Sequence, residues 1–174
     1  MMAKGRWMKR LAASVWVPGV LLACSSTADP AKASVNLAFP STAAAVSTDN
    51  VTVMVFDLPT DGTANQFCTK LVQQAKSDQQ LPPRTVESAP ANVCDFQNGI
   101  ADVTVDFGDK AILAVARRGG KPYLVGCALE NIGDGDAPVT ISLGLVNTAT
   151  VVPPTDCQLV SDFCVAKSCK GVLP

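Results

Sequence analysis

The chain has 174 residues, 48% of them hydrophobic, with a mean hydropathy of +0.25, so it has enough apolar matter to bury a core and falls outside the disordered class. It carries seven cysteines and no histidine, and its net charge is −1. The missing imidazole removes the commonest general base, the Ser-His and Cys-His nucleophile pairs and the histidine metal sites, which excludes most enzyme templates.

Residues 1–10 hold Lys4, Arg6, Lys9 and Arg10 without an acid, and residues 11–22 (LAASVWVPGVLL) are apolar and uncharged. A dozen residues cannot span a hydrocarbon core, which takes roughly 20 in a helix. A basic segment ahead of a short apolar run predicts a secretory signal peptide over residues 1–23. It closes on Leu21-Leu22-Ala23-Cys24, followed by Ser25-Ser26. This stretch resembles the lipobox of bacterial lipoproteins, although Leu22 stands where that family more often has a small residue. The resemblance implies cleavage before Cys24, a diacylglyceryl group on its sulfur and palmitate-type acylation. With Ser25 rather than Asp after the cysteine, it also implies the outer membrane. Two or three acyl chains, at about 0.8 kcal/mol per buried methylene, make release from a membrane negligible.

Cleavage would remove four of the fourteen basic residues and both tryptophans, leaving ten basic residues against fifteen acids, a net charge of −5. Nucleic acid is therefore not an expected partner. Residues 24–34 are small and polar beyond Cys24 and predict a tether with a reach of about 17 Å.

Beyond the tether, period-2 patterning predicts strands at 35–39, 51–57, 101–107, 111–117, 122–129 and 138–146, with a weak one at 84–88. In 101–107, Val103, Val105 and Phe107 alternate with Asp102, Thr104 and Asp106, the pattern of a strand with one wet face. Glycine-rich turns separate the last four strands and predict a meander. The run after Thr63 places Phe67, Leu71, Val72 and Ala75 on one stripe, Thr63 and Gln66 have capping-box spacing, and Pro82-Pro83 follows. These features predict a helix over 64–79. The expected class is mainly β, an antiparallel sandwich over 35–146 with one inserted helix and a cysteine-rich appendage over 147–174. Segments VTVMVFD, AILAVARRGGKPYLVGCAL and PVTISLGL resemble the immunoglobulin-like or transthyretin-like modules of bacterial surface lipoproteins.

With Cys24 assigned to lipid, Cys68, Cys94, Cys127, Cys157, Cys164 and Cys169 form an even set, which predicts disulfides in an oxidising compartment. Chain order suggests a Cys68–Cys94 bond, Cys127 bonded to one tail cysteine, and the other two tail cysteines bonded together.

The meander would gather Asp106, Asp109, Glu130, Asp134 and Asp136 at one end, hard oxygen ligands of the kind calcium requires. Solvated turn residues are the plainer account of the same cluster. Arg117, Arg118 and Lys121 would mark the other end, a solvated hairpin tip whose charge also suits anionic lipid headgroups or lipopolysaccharide. Asp102 and Asp106 share a wet strand face with no predicted cleft, a poor setting for glycosidase chemistry. No nucleophile-elbow, dinucleotide or phosphate-loop motif occurs. The reading is a non-enzymatic, lipid-anchored envelope protein with no cofactor. Its expected role is structural or in binding other envelope proteins, with capture of calcium, a glycan or a small molecule as the alternative.

Overall fold

The apolar run 111–116 (AILAVA) is buried at every position, so it cannot belong to a strand with one wet face. It lies in the middle of the central sheet, in a computed structural model that describes residues 31–101, 103–133, 138–166 and 169. In chain order the elements are β1 (Ala31–Ala33), β2 (Val35–Ala38), α1 (Thr42–Val46), β3 (Asn50–Asp57), α2 (Ala64–Lys76), β4 (Val86–Glu87) and α3 (Val93–Gln97). There follow β5 (Val103–Val105), β6 (Gly108–Arg118), β7 (Lys121–Ile132), β8 (Val139–Ser142), β9 (Gly144–Leu145) and α4 (Val160–Ala166).

Strands β4-β3-β6-β7-β9, in that order, form a five-stranded antiparallel sheet. Alternation along β3 and β6 sends side chains into two separate cores. Val51, Val53, Val55, Ile112, Ala114 and Ala116 pack on one side with Val35, Ala44, Ala45, Val93, Phe96, Val103 and Ile141. Met54, Phe56, Ala111, Leu113, Val115 and Val125 pack on the other with Leu71 and Ala75 of α2. The sheet is thus the middle of three layers.

The mainly β class holds, but the layer opposite α2 is not a second large sheet. It consists of an antiparallel β1–β5 ribbon, a parallel β2–β8 ribbon and the short helices α1 and α3. The expected four-strand meander is reduced to the β6–β7 hairpin, with two residues of β9 on its edge. β5 is shorter than expected and pairs with β1, so residues 31–33 form a strand instead of ending the tether. Phe107, expected inward, is 41% exposed.

Helix α2 forms where its stripe predicts, and Phe67 packs edge-on against Phe56 at 6.2 Å. It ends at Lys76, short of residue 79, because Asp78 takes a left-handed φ of 50°. The Thr63 capping box does not form. Instead, the Asp61 Oδ1 atom accepts from the Thr63 amide at 3.0 Å and its hydroxyl at 2.5 Å. A reciprocal capping box appears at α3, between Asn92 and Asp95.

All six cysteines beyond Cys24 are paired, as Cys68–Cys127, Cys94–Cys164 and Cys157–Cys169. The Cys68–Cys94 bond suggested by chain order is ruled out by the layering. Cys68 belongs to α2 on one face of the sheet, whereas Cys94 belongs to α3 on the other. Cys68 therefore reaches Cys127 on the strand beneath it, and Cys94 takes the tail cysteine. The tail docks through that bond, through the Thr42 hydroxyl donating to the Gln158 carbonyl at 2.8 Å, and through Val152 and Val160 on the core.

Candidate functional site

The β6–β7 register places Asp109 opposite Asn131 and Lys110 opposite Glu130, so these groups share one end of the sheet, as expected. Asp109 Oδ1 accepts from Asn131 Nδ2 at 2.6 Å. Among the described residues no three His, Cys, Asp or Glu side chains converge to hold a metal. Asp102, Asp134 and Asp136 lie outside the described residues, and Asp106 is exposed at the end of β5.

This end also holds a buried cation. Lys110 is buried, and its Nζ pairs at 2.5 Å with Asp57, directly across on β3, whose side chain is 64% exposed. Register places Asp57, Lys110 and Glu130 side by side on three adjacent strands. A lone lysine before the AILAVA run carried no signal for this, since the partner comes from a strand 53 residues earlier. Nearby, the hydrogen bonds from Thr63 hold the exposed Asp61 carboxyl below its ordinary range by stabilising the charged form.

At the opposite end, Arg117, Arg118 and the turn between β6 and β7 have defined partners. Arg117 Nη1 donates to the Gly120 carbonyl at 2.9 Å and Nη2 to Asp78 Oδ1 at 3.2 Å. The Gly119 amide donates to Asp49 at 2.6 Å, and the Arg118 guanidinium lies 5.6 Å from the Tyr123 ring centroid. Gly119 and Gly120 both have positive φ, which closes this two-residue turn.

Beside Arg117 the segment after α2 folds back over the sheet and leaves a cavity of about 550 Å³. Its floor is Thr52, Met54, Ala75 and Val115, and its rim holds Asp78, Gln79, Gln80, Arg84, Glu87 and Arg117. Arg84 is ion-paired with Glu87. The cavity thus combines an apolar floor with two guanidiniums and two carboxylates, able to donate and accept hydrogen bonds to a polar guest. The sequence reading placed ligands at the acidic loops and missed this site, because its walls come from three separated segments. Pro82-Pro83, read as a helix stop, also lines it. The chain matches no protein-family model, no curated protein and no solved structure.

Proposed function

We propose that the chain is a non-enzymatic envelope lipoprotein, held at the outer membrane through Cys24 and presenting a disulfide-locked β-rich module that serves a structural or protein-binding role. The observation that carries this reading is the division of the cysteines. All six beyond Cys24 pair among themselves, in a pattern suited to an oxidising compartment, and only the lipobox cysteine is left over. No helix among the described residues is long and apolar enough to cross a membrane. Lipid mass on Cys24 and transfer of a Cys24→Ala variant from the membrane to the soluble fraction test it. A Cys24→Ala chain that stays in the membrane would sink the reading.

The cavity favours a second reading, a lipoprotein that captures a small polar ligand between Arg84 and Arg117. Soaking the purified domain with a panel of sugars and amino acids, followed by thermal melting, tests it. The expected result is a melting shift that an Arg84→Ala, Arg117→Ala double variant abolishes.

A further inference from the structure

We propose that the Gly108/Ile132 end of the sheet rests on the bilayer that holds Cys24, leaving the basic hairpin and the cavity facing away. This rests on the anchor reading. β1 runs antiparallel to β5 with Ala31 opposite Val105, so the chain preceding Ala31 leaves on the side where β5 runs on to Asp106 and Phe107. Seven Cα steps separate Cys24 from Ala31 in the sequence. They span at most about 24 Å. β7, from Lys121 to Ile132, puts roughly 37 Å between its two ends.

The surface at the tethered end fits this placement. Phe107 is 41% and Leu129 is 38% exposed, two large apolar side chains at the end nearest the lipid. A tether this short gives a roughly millimolar effective concentration, so weak insertion of two side chains suffices. Charge selects the kind of lipid. Asp57, Asp106, Asp109 and Glu130 outnumber Lys110 at this end, so a zwitterionic surface is tolerated and an anionic one repels. The Arg117, Arg118 and Lys121 cluster is placed away from the headgroups, contrary to the lipid contact suggested by its charge.

Both tryptophans precede Cys24, so the processed chain offers a silent background for a single introduced tryptophan. Full-length lipidated Phe107→Trp, Leu129→Trp and Lys121→Trp variants would be reconstituted into vesicles of brominated phosphatidylcholine, with lipid on Cys24 checked by mass. The proposal expects Phe107→Trp and Leu129→Trp to lose most of their emission and Lys121→Trp to keep it, with quenching reduced when phosphatidylglycerol is mixed in at low salt. A lipidated chain in which Lys121→Trp is quenched as strongly, or in which neither Phe107→Trp nor Leu129→Trp is quenched, overturns the orientation and leaves the anchor standing. A Cys24 without lipid overturns both.

Discussion

The carbonyl oxygen of Ser142 occupies the place a side chain at Gly126 would take: a Cβ built there lies 2.2 Å from it. β8 can cross over β7 and reach β2 only because residue 126 has no side chain. The obstacle is backbone, with the Ser142 carbonyl carbon 2.9 Å from the same point, so no rotamer change relieves it. Gly126→Ala should therefore cost about 3 kcal/mol, as overpacking that forces a backbone shift does. Gly144, with nothing within 4 Å of its Cβ position, is the control. Gly144→Ala should stay within about 1 kcal/mol. Urea unfolding midpoints of the two variants, compared at equal m-values, decide the matter.

The three disulfides should contribute unequally. Loop-closure entropy assigns about 4 kcal/mol each to Cys68–Cys127 and Cys94–Cys164, with separations of 59 and 70, and about 3 kcal/mol to Cys157–Cys169, with a separation of 12. Paired serine variants should follow that order in denaturant. Non-reducing peptide mapping should yield these connections, and a Cys68–Cys94 peptide would contradict the layering of α2 and α3.

Removing either partner of the Lys110–Asp57 pair should have different consequences. Asp57→Ala leaves a buried ammonium without its nearest counter-charge and should cost about 1–3 kcal/mol. Lys110→Met keeps an unbranched apolar stem and leaves only an exposed carboxylate, so a cost below about 1 kcal/mol is expected. In the double variant most of the Asp57→Ala loss should return, and a double-mutant cycle measures it. Equal costs for the two single variants would mean that burial of the charge is not the controlling term.

Acid should loosen the start of α2 before the rest of the molecule. The folded Asp61 carboxyl titrates below its ordinary value of 3.8 because Thr63 donates to it twice. A depressed folded value means a contribution present above the unfolded pKa and lost as pH falls through the folded one, so the window lies below about pH 4. Carboxyl NMR titration should show Asp61 moving back toward its ordinary value in Thr63→Val, with faster amide exchange over 63–66 at low pH. An unchanged Asp61 titration in that variant would dismiss the hydrogen bonds as the cause.

Local chemistry was legible wherever it rested on residues close in sequence. The stripe of Phe67, Leu71 and Ala75 announced α2, alternation over 51–57 announced β3, and Arg118-Gly119-Gly120-Lys121 announced the hairpin. What misled was reading 111–117 as one more period-2 strand of a sandwich. Ala111–Ala116 is apolar at odd and even positions alike, the mark of a sheet covered on both sides, and from that the layer beyond α2 could have been inferred. The short helices α1 and α3 span five residues each, too few to establish a helical period against turn-forming neighbours. The cavity and the Lys110–Asp57 pair left no local trace, because their parts are tens of residues apart.

By itself the sequence determined an even set of six cysteines beyond Cys24, a mainly β chain and one amphipathic helix. Each of these depends on composition or on periodicity within a dozen residues. Only the tertiary structure decided which cysteines meet, that β5 abandons β6 for β1, and that β8 lies parallel to β2. Those outcomes depend on which faces cover one another. Two elements with equally apolar stripes gain comparable free energy from burial wherever they dock, so the choice falls to shape, as it does where Ser142 passes over Gly126.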